Sequence, residues 1–212
     1  MPRRIVSLAQ APFWPAMAVL AIVWLAMLLI GGSGLDRAVL VGGYSGERAW
    51  ELPAILITRL GDWQALIAFT FFGAALLIAR RRARTALFLI GVTLAGRALV
   101  GLQKVTVGRL RPDENPHLVD VETLSFPSGH AANATIVYLA LALILTRPGE
   151  GRAWAVAAAL ALALLIGASR VMLGVHWPSD VVGGWAFGLM WTVAAFRWIG
   201  PKVEGHRREG GT

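Results

Sequence analysis

The chain has 212 residues, of which 57% are hydrophobic and only 15% charged, with a mean hydropathy of +0.64. Soluble domains carry roughly 25% charged residues, so a deficit spread along the whole length excludes one large soluble core and points to a polytopic membrane protein. Zero cysteines exclude disulfides, thiolate chemistry and zinc–thiolate sites. The net charge of +8 comes from arginines at the ends of apolar runs, which suits membrane topology and anionic lipid headgroups rather than nucleic acid.

Six apolar stretches, near 13–31, 62–79, 85–103, 130–146, 153–169 and 179–198, approach the ~20 residues that cross a bilayer as a helix. The expected fold is all-α, a polytopic bundle of six transmembrane helices forming one domain over 1–212. The first stretch is uncharged and carries Trp14 and Trp24 as interfacial anchors. Arg3 and Arg4 before it also suit a signal peptide, but five further spans favour a retained helix. Residues 32–61 are polar and glycine-rich and read as a loop followed by a short extracytoplasmic interfacial helix within 45–60. The tail from Pro201 is expected to fray.

Orientation follows from Lys and Arg beside the spans. The N-terminus, the 80–84 and 147–152 loops and the tail hold twelve of the twenty. The opposite side holds seven, and Arg97 lies inside the third span. Both termini are therefore expected in the cytoplasm of a multi-pass inner-membrane protein.

Three polar islands then fall on the extracytoplasmic face: Lys104-x6-Arg111-Pro112, Pro127-Ser128-Gly129-His130, and Ser169-Arg170-x5-His176-x3-Asp180. Cleaving a phosphate ester requires neutralised charge, an in-line nucleophile and a proton for the departing alkoxide. Lys104, Arg111 and Arg170 supply the cations, the arginines as planar forks. Ser128 and the amides of Gly129 and His130 stand at a predicted helix start, which favours an anion. His176 is the candidate nucleophile, with Asp180 accepting its Nδ1–H and leaving Nε2 free. His130 is the candidate general acid and base. Pro112, Pro127 and Ser169 support these groups, Ser169 by orienting Arg170 or the phosphate. Three cations take the place of a metal in stabilising the transition state, so no metal or cofactor is expected.

Each residue also has a plainer role: Lys or Arg at a span end as a snorkelling anchor, Ser-Gly as a helix cap, Asp180 as a first-turn dipole partner. Their joint spacing favours the catalytic reading. His117 reads as a loop histidine, and His206, in the tail, plays no catalytic part. Arg97 needs a partner or a wet cavity at its depth, as a structural ion pair or as part of a headgroup passage. Gly184-x3-Gly188 suits close helix packing, and Trp177 is placed to wall the site.

In order and spacing the three islands resemble the type 2 phosphatidic acid phosphatase superfamily, whose integral-membrane members dephosphorylate lipid phosphates. The resemblance implies the same roles for His176, His130 and Asp180. It also implies a lipid phosphate substrate of the phosphatidic acid, phosphatidylglycerol phosphate or undecaprenyl diphosphate class. Lipid A 1-phosphatase and lipid phosphotransferase chemistry fit the same residues. The soluble vanadium haloperoxidases share the motifs, but six apolar spans argue against that branch. A transporter that merely binds the phosphate would leave both histidines and Asp180 without a task.

Overall fold

The computed structural model describes residues 13–44 and 48–200. Every regular element among them is a helix: α1 (Phe13–Ile30), α2 (Gly34–Gly43), α3 (Arg48–Arg59), α4 (Trp63–Ala79), α5 (Ala83–Val107), α6 (Gly129–Leu145), α7 (Glu150–Met172) and α8 (Pro178–Trp198). The six expected apolar stretches overlap the helices α1 and α4 through α8. Of these, α1, α5 and α7 are long and apolar enough to cross a membrane, and α3 with α4 passes the same test as a pair bent by 42°. Large apolar side chains such as Phe72, Leu87, Leu102 and Trp154 point outward. That pattern suits a lipid solvent, and the chain is a multi-pass membrane protein.

The bundle is organised around α6, which packs on α8, α7, α5 and α4. Small residues let it sit at the centre. A side chain at Gly188 would put its Cβ 2.8 Å from the Ala132 carbonyl oxygen, and one at Gly184 2.8 Å from that of Ser128. The two glycines thus allow the backbones of α6 and α8 to meet. Below the site, Leu77, Leu89, Ala140 and Ala195 from α4, α5, α6 and α8 close one apolar cluster, and Leu66, Tyr138 and Ile166 anchor a second.

Residues 32–61 differ from expectation. Instead of a loop leading to one helix, residues 34–43 form α2, with Ser33 as N-cap accepting from the Asp36 amide. Two of the three glycines in that helix stand at its end, a poor local signal. Its stability is tertiary: Asp36 is buried and accepts hydrogen bonds from the Ser179 amide (2.9 Å) and hydroxyl (2.7 Å), 143 residues away. Helix α3, Arg48–Arg59, is the helix expected within 45–60. Two motif boundaries also move. Lys104, expected just after its span, lies in the last turn of α5, and Ser169–Arg170, expected to close theirs, are followed by Val171 and Met172 in α7. Arg3, Arg4, His206 and the tail lie outside the described residues.

Candidate active site

The end of α5, the start of α6, the end of α7 and the start of α8 meet at one end of the bundle, roofed by the 108–128 connection. Local sequence sets each edge. Helix α5 stops at Gly108, whose left-handed φ of 67° suits glycine. Helix α6 begins after Ser128, whose hydroxyl faces the Ala131 amide at 3.5 Å. Between α7 and α8, Gly174 turns at φ 73°, and a Cβ there would lie 2.9 Å from the Pro116 carbonyl oxygen. This turn carries the chain from Arg170 to His176. Pro178 then opens α8 at a position where a missing N–H costs nothing.

His176 and Asp180 are both almost wholly buried. The Nδ1 of His176 lies 3.3 Å from Asp180 Oδ2, as expected from their one-turn separation. The carboxylate is held on every side. The Trp177 amide donates to Oδ2 at 3.0 Å, Ser125 Oγ donates to the same oxygen, and Arg109 Nη1 donates to Oδ1 at 2.7 Å. Ser125 Oγ also stands 3.3 Å from His176 Nδ1. With Nδ1 engaged, Nε2 is the nitrogen left for chemistry. Burial first, then repulsion from Arg111, Lys104, Arg170 and His130, hold the His176 pKa well below its ordinary 6.5. The imidazole is therefore neutral at physiological pH, and all three cations and His130 stand within electrostatic reach of it.

Each cation is fixed by backbone or hydroxyl partners. Lys104 Nζ donates to the carbonyls of Leu124 and Ser125. Arg111 donates from Nε to Thr123 O (2.7 Å), from Nη2 to Thr123 Oγ1 (3.2 Å), and from Nη1 to Val175 O. Burial lowers its pKa to about 10, which leaves it cationic at neutral pH. Arg170 is 4% exposed and donates to Thr58 Oγ1 at 2.8 Å, while its Nε is buried without a partner. A buried, partly unsatisfied guanidinium calls for an anionic ligand. His130 turns Nε2 toward Asp62 Oδ1 at 3.0 Å, in the bend between α3 and α4.

Around these groups the roof is tied down. His117 Nε2 pairs with the Pro112 carbonyl (2.8 Å), Arg37 with Glu114 (2.6 Å), and Trp177 Nε1 donates to Leu110 O (3.1 Å). His117 thus has a structural loop contact, and Trp177 ties the start of α8 to the roof. The Ser169 hydroxyl donates to Ile166 O of its own helix at 2.7 Å, not to Arg170. Pro127 follows a cis peptide bond from Phe126.

Three contributors escaped the sequence reading. Arg109 counted only as a topology charge, yet it braces Asp180 and donates to the Leu28 and Met27 carbonyls of α1 (2.6 and 3.2 Å). Its guanidinium fills the space a side chain at Gly31 would occupy, 2.1 Å from that Cβ. Ser125 sits just before the Pro127 motif, and its polar character was the one available signal. Asp62 carried only the signal of a helix cap, and nothing local links it to a histidine 68 positions later.

Comparisons with known proteins address the family and the fold. The model of the PAP2 superfamily matches residues 85–204. Phosphatidylglycerophosphatase B of Bacillus subtilis (strain 168) is 35% identical over 138 residues, spanning 63% of this chain and 68% of that protein. A lipid A 1-phosphatase of Rhizobium etli is 32% identical over 193 residues, 78% of this chain and 80% of the relative. The crystal structure of a transmembrane PAP2 type phosphatidylglycerolphosphate phosphatase from Bacillus subtilis superposes with a TM-score of 0.78 at 28% identity, covering 85% of this chain and 94% of the other. An all-helical membrane bundle with this cationic, imidazole-bearing cup and these relatives is a lipid phosphatase, a hydrolase. The chain belongs to the PAP2 superfamily.

Proposed function

We propose that this protein hydrolyses lipid phosphate monoesters or isoprenoid diphosphates without a metal, through a phosphohistidine intermediate on His176. The observation that carries the reading is a buried imidazole whose pKa is held well below 6.5 by burial and by the charges of Arg111, Lys104 and Arg170, with the Nε of Arg170 still unpaired.

The phosphate settles among the three cations and the start of α6, where Ser128 and the Gly129 and His130 amides add donors. His176 Nε2 attacks phosphorus, and the bond from phosphorus to the leaving oxygen breaks. His130 gives that oxygen its proton. The imidazolium that forms keeps its Nδ1–H on Asp180, whose charge Arg109, Ser125 and the Trp177 amide hold in place. Water then attacks the phosphohistidine, His130 takes the water's proton, and the P–N bond cleaves to release inorganic phosphate. Asp62 orients the His130 ring between the two steps.

The reading places six spans in one domain of the cytoplasmic membrane, with both termini inside and the cup outside. The excess of Lys and Arg on the 80–84 and 147–152 loops supports that orientation. A lipid A 1-phosphatase activity is the second reading, favoured by the Rhizobium etli relative. The test is phosphate release in EDTA by sealed right-side-out vesicles given short-chain phosphatidate or farnesyl diphosphate from outside. Release without permeabilisation is expected. Binding without release contradicts the catalytic reading, and release only after permeabilisation reverses the orientation.

A further inference from the structure

A narrow, half-open groove of about 40 Å³ runs between α4, α5 and α6, walled by Trp63, Leu66, Phe71 and Leu94, with Arg97 and Asn133 among its polar members. Each wall ends in a residue of the cup: Asp62 caps α4, Lys104 lies in the last turn of α5, and His130 opens α6. The groove therefore lies on the same three helices as the cup, deeper along their axes. Arg97 precedes Lys104 by seven residues, which places it on the same face of α5 and about 10 Å deeper. Asn133 lies one turn beyond His130, about 4.5 Å deeper.

Both polar groups are unspent. Arg97 makes no hydrogen bond or ion pair among the described residues, although it sits inside a span, where an unpaired charge is costly. Asn133 is 9% exposed, and its side-chain oxygen is buried without a partner. By contrast, Thr70 and Thr93 in the same groove turn their hydroxyls onto carbonyls of their own helices. A buried polar atom left open beside an unpaired cation marks a place for a polar ligand group.

We propose that Arg97 and Asn133 clasp the ester region of a diacyl lipid phosphate, so that the site selects acyl glycerolipid phosphates over isoprenoid phosphates. The inference rests on the phosphatase reading and adds the substrate class. In a glycerolipid the ester carbonyls lie just below the phosphate on the way to the tails. The Arg97 guanidinium donates to one carbonyl. The Asn133 amide, whose two ends interchange by a flip, donates its N–H to the other. A prenyl chain has no polar atom below its phosphates, so it leaves both groups unsatisfied in an apolar groove. Sites built to hydrogen-bond a substrate reject analogues that lack the partner.

The experiment compares kcat/KM for dioleoyl phosphatidate, undecaprenyl monophosphate and undecaprenyl diphosphate in the wild type, Arg97→Leu and Arg97→Lys. Arg97 is exposed on the bundle, so its replacement spares the core. The ratio of kcat/KM for phosphatidate to that for the prenyl monophosphate should fall about tenfold in Arg97→Leu, through KM, with partial recovery in Arg97→Lys. An unchanged ratio overturns the clasp. So does a loss confined to the diphosphate, which would assign Arg97 to a second phosphate. If the wild type turned over none of the three, the phosphatase reading itself would fail. Native mass spectrometry of phosphatidate retention would then decide the clasp alone: retention tenfold stronger in the wild type supports it, and equal retention overturns it.

Discussion

At the scale of single residues, the chemistry depends on His176 staying neutral while surrounded by positive charge. Burial and the neighbouring cations both disfavour the imidazolium, and together they hold its pKa well below 6.5. A free imidazole lone pair is therefore present across the physiological range. The sign for stability follows from linkage: the unfolded chain takes up a proton at His176 near pH 6.5 and the folded chain does not, so stability falls as pH drops below that value. Nitrogen NMR of histidine-labelled protein should show the His176 ring unprotonated well below pH 6.5. A ring that titrates at or above 6.5 contradicts this electrostatic account. The motif residues were legible because each lies in a short polar island within an apolar chain. Arg109 was not, since its role comes from α1 carbonyls some eighty residues away and from a carboxylate seventy-one residues away.

At the scale of elements, the cup is held by the contact between α6 and α8. The Ser128 amide donates to the Asp180 carbonyl at 2.9 Å, which joins the start of one helix to the first turn of the other. Gly184 makes that approach feasible, because a Cβ there would meet Ser128 O at 2.8 Å and the Ala132 amide nitrogen at 3.2 Å. Gly184→Ala should therefore push the start of α6, with His130 and its amides, away from His176. We expect at least a tenfold loss of turnover and a lower melting temperature, consistent with the ~1–3 kcal/mol typical of overpacking. Gly91→Ala, where nothing lies within 4 Å, is the control and should change neither. Equal behaviour of the two variants would show that close packing at Gly184 does not position the site. The Gly184-x3-Gly188 spacing made this contact legible. Helix α2 was not, because its glycines argue locally against a helix and its anchor, Asp36 to Ser179, is a tertiary hydrogen bond.

At the scale of the whole molecule, hydrophobic runs gave the helices and their approximate bounds, since the need to satisfy backbone groups in lipid leaves few alternatives to helix. What they leave out is the bend between α3 and α4 that brings Thr58 and Asp62 to Arg170 and His130. Those pairings depend on how α3 leans against α7, a relation absent from any local pattern. The assembled result is four helix ends and one bend turned toward a single buried imidazole. The most direct measurement is to quench turnover of a ³²P-labelled lipid phosphate in alkali, where phosphohistidine survives, and map the label by mass spectrometry. The account predicts acid-labile phosphate on His176, absent from His176→Ala and accumulating in His130→Ala supplied with a substrate whose leaving group needs no proton. Label on another residue, or undiminished phosphate release by His176→Ala, would contradict it.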